Sequence, residues 1–223
     1  MRVWPPPPGD LVAALVLFGY VSVVLILSKK LYEAIRGMGV SHVRSAYFVR
    51  KYIHVFGGGV VALLTPFVFH TPIIPLAVGL LLAAGLALFR ATGRLLYWFQ
   101  VPDNAYEVNF CAAWGIGIAA LWLATGDPRI AVAPALLISF GDAVTGVVRN
   151  LLIKRRSKHW AGNVAMAALT TPLLGAILGG VGAFTALVAS AAERLEFGPI
   201  DDNVIIVVVS TLILLAAHAA GLV

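Results

Sequence analysis

Charge is what this sequence has least of: Asp, Glu, Lys and Arg make up only 12% of its 223 residues. Soluble domains carry about 25% charged and about 45–50% apolar residues, whereas here 61% are hydrophobic and the mean hydropathy is +0.95. Polar surface this scarce cannot cover a water-exposed globule, which excludes a soluble protein, and the same balance excludes disorder. Cysteine is nearly absent. The single Cys111 excludes an internal disulfide, and beside an apolar run it reads as packing. No basic stretch precedes the first apolar run, so the beginning does not read as a cleaved signal peptide. Residues 4–8 (WPPPP) read as a stiff polyproline lead-in. Nothing in the chain has the pattern of a nucleic-acid module.

What the sequence does hold is eight apolar runs, at 11–27, 49–69, 73–89, 108–125, 130–150, 162–178, 183–195 and 204–220. Breaks fall at His70-Thr71-Pro72, Gly126-Asp127-Pro128 and Gly179-Gly180. A crossing needs about 20 residues, so the expectation is all-α: one integral membrane domain over 1–223, a polytopic helical bundle of about eight transmembrane helices. The seventh run is short and contains Glu193 and Arg194, which suits a tilted, broken or half-inserted segment.

The charges give this arrangement a direction. Sixteen Lys+Arg against 10 Asp+Glu leave a net +6, a surplus that in membrane proteins faces cytoplasmic loops and anionic lipid headgroups. With the N-terminus outside, Lys29, Lys30, Arg36, Arg44, Arg50, Lys51, Arg90, Arg94, Arg149, Lys154, Arg155, Arg156, Lys158 and Arg194 all fall inside. Only Arg2 and Arg129 fall outside. That is a strong positive-inside signal, and it sets both termini outside the cytoplasm. Asp103, Glu107, Asp142, Glu193, Glu196, Asp201 and Asp202 also gather inside, against Asp10 and Asp127 outside. Acidic residues contribute little to orientation, so a cytoplasmic site for a metal and a polyanion is the better cause.

Four stretches carry candidate chemistry. The first runs from Ser139 to Met166, SFGDAVTGVVRNLLIKRRSKHWAGNVAM. Asp142 sits deep within an apolar helix, where ionisable groups are costly and mark function. Gly146, Arg149 and Asn150 come after it at i+4, i+7 and i+8, on one helical face. Asp142 and Arg149 are about 10 Å apart along the axis, too far to pair directly, with Gly146 as a notch suited to a metal-bound phosphate. In the adjoining basic loop, Arg155 and Arg156 read as membrane anchors, while Lys154 and Lys158 suit a clamp on nucleotide phosphates. Gly162 opens the next span, where backbone N–H groups suit an anion.

The second stretch is Arg50-Lys51-Tyr52-Ile53-His54. Arg50 and His54 share a face at i, i+4, whereas Lys51 points about 100° away and reads as a cation that snorkels to the interface. The third is Glu107, at the mouth of the fourth span, where an ordinary helix-start acid is an equal reading. The fourth is Glu193 with Asp201-Asp202-Asn203 beyond it, part of which reads as a helix cap. His42, His70 and His218 receive no role.

Taken in order, these stretches resemble the dolichol kinase and phytol kinase family of CTP-dependent membrane lipid kinases. The family's Arg-Lys-x-x-His element stands here as Arg50-Lys51-Tyr52-Ile53-His54, and its Glu before an apolar span as Glu107. Its Gly-Asp with a small-residue helix is matched by Gly141-Asp142-Ala143-Val144-Thr145-Gly146. Its Lys-Ser and Glu-Gly-Ser-x-Ala-Met is matched by Lys158-His159 and Ala161-Gly162-Asn163-Val164-Ala165-Met166, and its closing Glu and Asp-Asn by Glu193 and Asp202-Asn203. The likeness covers about residues 45–205. Ala161 replaces a family acid, and His159 and Asn163 replace serines, which marks a divergent, archaeal-type branch.

The resemblance implies transfer of the CTP γ-phosphate to the hydroxyl of a long-chain isoprenoid alcohol, with Mg²⁺ as cofactor. Asp142, His54 and Glu107 are then the catalytic candidates, with His54 or Glu107 taking the alcohol proton. Phosphate or nucleotide binding falls to Arg50, Lys51, Gly141, Thr145, Gly146, Arg149, Asn150, Lys154, Lys158, Gly162 and Asn163. Asp142, Glu193, Asp202 and Asn203 are the metal candidates, since Mg²⁺ takes carboxylate and phosphate oxygens. Expected partners are CTP, the alcohol within the membrane and anionic lipids at the cytoplasmic face, without nucleic acid; a homo-oligomer is compatible with the chain. Location comes out as multi-pass in a cell membrane or one of endoplasmic-reticulum type. The rival readings are a cytidylyltransferase attacking the α-phosphate and, more distantly, a small anion or lipid-phosphate transporter.

Overall fold

The computed structural model describes residues 5–153, 158–195 and 200–223, and among these every regular element is helical. Lys154, Arg155, Arg156 and Glu196 lie outside the described residues. Helix α1 (Pro8–Gly37) starts on a proline, whose missing N–H costs nothing in a first turn. A continuous rod comes next, made of α2 (His42–Ile53), a π-helical segment (His54–Gly59) and α3 (Val60–Val68). Then come α4 (Ile73–Ala91) and α5 (Tyr106–Thr125), the latter closed by Gly126 at φ +72°. The fifth rod joins α6 (Pro128–Ala131), α7 (Ala133–Leu136), a second π segment (Leu137–Gly141) and α8 (Asp142–Ile153). Helices α9 (Trp160–Ala192) and α10 (Asp202–Ala219) complete the chain.

Seven of these rods are long and apolar enough to cross a membrane: Pro8–Gly37, His42–Val68, Ile73–Ala91, Tyr106–Thr125, Pro128–Ile153, Trp160–Ala192 and Asp202–Ala219. The protein is thus an all-helical bundle of multi-pass membrane type. The expected sixth and seventh runs fall within α9. That helix is broken at Leu178 and at Gly179, whose φ of +61° a β-carbon would strain. Unbroken, 33 residues would run about 50 Å. Instead the limbs fold back on each other: the Leu174 carbonyl abuts Gly182, and Asn163 Nδ2 donates to Ser190 O at 2.5 Å. The break therefore falls where Gly179-Gly180 marked it, and the second limb stays short because it only returns Glu193 to the end from which α9 began.

Apolar side chains do not distinguish a helix neighbour from lipid, so these helices associate through close packing. A β-carbon on Gly79 of α4 would stand 2.8 Å from Cys111 O and 2.9 Å from Gly115 Cα of α5. The best-buried rod is the fifth, with Leu136, Leu137 and Ile138 wholly enclosed, and the others pack around it. Its π segment crosses the first one, where Gly58 lies against Phe110 and Ser139, and Gly59 against the Phe140 ring. A π turn inserts an extra residue and re-aims the side chains beyond it. Here the first segment begins at His54 and the second ends next to Asp142, so the crossing sets both side chains.

One end of the bundle is fastened by Asp10, which is fully buried. Its carboxylate accepts from the backbone N–H of His70 (3.0 Å) and Thr71 (3.2 Å) and from the His70 ring (2.8 Å). Asp10→Ala strands two backbone donors in an enclosed place, a loss of about 1–3 kcal/mol. Thermal unfolding in detergent is expected to register that loss, with function at the opposite end unchanged.

Candidate functional site

At the other end, ionisable side chains from α2, the first π segment, α8, the two ends flanking α9, and α10 line a cavity of about 390 Å³, within the range of about 300–1,000 Å³ usual for small-ligand sites. Asp142, Gly146, Arg149 and Asn150 all reach it, as their common helical face requires. So do Arg50, Lys51, His54, Thr145, Lys158, Glu193, Asp202 and Asn203.

Lys51 departs from the expected snorkelling. It is buried, and its Nζ donates to Asp142 Oδ2 at 2.5 Å, because α8 rather than water occupies the direction in which it points. His54 Nδ1 stands 3.1 Å from the same oxygen, and its ring stacks on Phe110 with centroids 3.9 Å apart. Its Nε2 is buried with no hydrogen-bond partner among the described residues. The notch at Gly146 is filled: the Tyr47 hydroxyl and Lys51 Cε lie where its β-carbon would be.

Arg149 does not meet Asp142, as the axial spacing required. It forks onto Glu193, with both Nη–H···Oε bonds at 2.7 Å, and also donates to Asn163 Oδ1 and His159 O. Asn163 thus braces the Arg149–Glu193 pair from behind and is absent from the cavity wall. Gly162 departs from its anticipated anion role. Its N–H bonds to His159 O, and a β-carbon there would stand 2.5 Å from Arg149 Nε, so its smallness makes room for the guanidinium. The neighbouring Ala161 N–H is capped by the His159 ring, the work a serine does at this position. Gly141 likewise lies off the wall, packed on Met166. Thr145 donates to Gly162 O, tying α8 to α9.

Lys158 bonds Asp202 Oδ2 and Glu193 O, each at 3.1 Å. Asp201 caps α10 by accepting from Val204 N–H, and burial together with the adjacent Asp202 pushes its carboxyl up to about 6. Asp142, Glu193 and Asp202 present carboxylate oxygens within 4.8 Å of one another. On the same cavity wall Asn203 has its Oδ1 buried without a hydrogen-bond partner among the described residues. Three carboxylates and an orphaned amide oxygen form a hard, all-oxygen donor set, which fits Mg²⁺.

Glu107 occupies different ground. It accepts from Arg90 (2.8 Å) and Gln100 (2.9 Å), and its second oxygen lies 4.0 Å from Arg50. It borders not the polar cavity but a second, apolar one of about 310 Å³, which Arg50 and His54 also border.

Several cavity residues escape a reading of the sequence or enter it only as charge: Arg44, which donates to Asn150; Tyr47, over which Arg50 and Lys51 lie; and Asn104 and Tyr106, which hold Arg50. The stripe Arg44, Tyr47, Lys51 and His54 at i, i+3, i+7 and i+10 is the signal for two of them. Comparison with protein-family models, with curated proteins and with solved structures gives no match for this chain.

Proposed function

We propose that this protein is a membrane-embedded lipid kinase that moves the γ-phosphate of CTP to the hydroxyl of a long-chain isoprenoid alcohol. The observation that carries the reading is the position of His54, which borders both a cavity of cations and carboxylates and an apolar one, and whose buried Nε2 has no hydrogen-bond partner among the described residues. Such a junction suits a reaction between a polyphosphate and the polar end of a lipid. The nucleotide and the alcohol class come from the resemblance to the dolichol and phytol kinases.

Phosphoryl transfer needs positioning and charge more than covalent help. Arg50, Lys51, Arg149 and Lys158 are the groups to brace the phosphates, each at present held by a carboxylate or amide of the site. Binding a polyphosphate lets these cations trade carboxylates for phosphate oxygens. Asp142, Glu193 and Asp202 would hold Mg²⁺, which when bound neutralises charge developing on the phosphates. His54 Nε2 takes the alcohol proton as the new O–P bond forms and CDP departs with the bond that breaks. The fold-back of α9 supports a reading in which the chain passes the bilayer eight times with both ends on the Asp10 face, and the positive-inside bias favours the cytoplasm for the site.

The test is CTP labelled in either the γ or the α phosphate, given to purified protein with Mg²⁺ and mixed isoprenoid alcohols. Label is expected in lipid from the γ position only. Label from α, with lipid phosphate supplied, makes the protein a cytidylyltransferase, and label from neither refutes group transfer. Asp142→Asn is expected to abolish transfer, and near-normal turnover removes Asp142 from the metal site.

A further inference from the structure

Beside the polar site, α1, the first π segment, α4 and α5 enclose an apolar groove of about 310 Å³. We propose that this groove seats the hydroxyl-proximal stretch of the acceptor's hydrocarbon chain, admitted sideways from the bilayer across α4; this deepens, and rests on, the kinase reading. Its inner end is shared with the polar cavity through Arg50 and His54. A chain lying in it therefore brings its terminal hydroxyl to His54, whose Nε2 has no hydrogen-bond partner among the described residues. Its flank carries Leu81, Leu82 and Phe89, which are 71%, 36% and 43% exposed, so the wall on that side is lipid-facing.

The extent of the groove limits what it reads. From His54 to Val61 the helical rise is about 10 Å, and from Leu86 to Val78 about 12 Å. Only the first units of a long isoprenoid fit, and the rest lies in the bilayer. Recognition then falls on the hydroxyl-proximal units, and alcohols alike in those units bind alike whatever their total length.

Gly85 supplies the test, because it borders the groove and a β-carbon added to it meets nothing within 4 Å. Gly85→Leu enters the groove from a position where the β-carbon is unobstructed and raises helix propensity, so loss of folding is not its expected effect. With that variant, KM for the alcohol is expected to rise about tenfold or more as apolar contact is lost, while KM for CTP and thermal stability hold. Leu82→Trp blocks the same space from the lipid side and should act alike. In parallel, a photoactivatable isoprenoid alcohol is crosslinked to wild-type protein in nanodiscs and the adduct mapped. Labelling of groove residues that is competed by unlabelled alcohol but not by added phospholipid, and is lost in Gly85→Leu, supports the proposal. Unchanged KM and labelling in both variants, or competition by phospholipid alone, overturns it. Alcohol-competed labelling without phosphoryl transfer keeps the groove and refutes the kinase.

Discussion

Lys51→Met is expected to destabilise the protein by about 3–5 kcal/mol, the usual loss when one partner of a buried ion pair is removed and the other stays behind. The residue left behind is Asp142, which is 3% exposed and, among the described residues, keeps the His54 ring 3.1 Å from its Oδ2. Asp142→Asn creates the converse defect, an ammonium enclosed among Tyr47, Gly146 and α8. The double variant Lys51→Met/Asp142→Asn removes both charges and should recover most of the stability while remaining inactive. A thermal or denaturant cycle over the four proteins measures this directly. Additive losses would mean that the pair does not hold α2 to α8, and that the resting site is not organised by exchangeable ion pairs.

That pair also marks how far residue spacing reaches. A helical face follows from spacing alone, so Asp142, Gly146, Arg149 and Asn150 are legible in the sequence as one wall, and they form one. The neighbour opposite a face depends on how helices are rotated against each other. Spacing sends Lys51 towards water because α8 is invisible from within α2. A loop separates Glu107 from Arg90 in the chain, and only folding brings that cation back onto it at 2.8 Å. Gly162 reads as a phosphate contact because it opens a helix, and Asn163 because the resemblance implies it, yet both serve the Arg149–Glu193 pair, itself 44 residues apart in the chain. The break in α9 is legible for the opposite reason: two adjacent glycines announce it locally. Adjacent glycines also stand in the first π segment, at Gly57-Gly58-Gly59, but there the helix continues with an extra residue while Gly58 and Gly59 pack on Phe110, Ser139 and Phe140, an outcome the glycines alone do not announce.

The extra residue matters most at His54, where the second large effect is expected. A positioned general base contributes about 10²–10⁴-fold to a proton transfer, so on the kinase proposal His54→Gln should lower transfer to the alcohol by that order. Glutamine keeps much of the volume stacked on Phe110, and the cations lining the polar cavity are untouched. CTP affinity and thermal stability are therefore expected to stay close to wild type, which separates loss of a base from loss of structure. Glu107 offers the competing assignment, because its Oε2 is also buried without a hydrogen-bond partner and borders the same apolar cavity. The two predict different outcomes for Glu107→Gln. With His54 as base, that change loosens Arg90, Gln100 and Arg50 and raises KM for CTP more than it lowers kcat. With Glu107 as base, kcat collapses in Glu107→Gln and survives in His54→Gln, and His54 loses its role as the base.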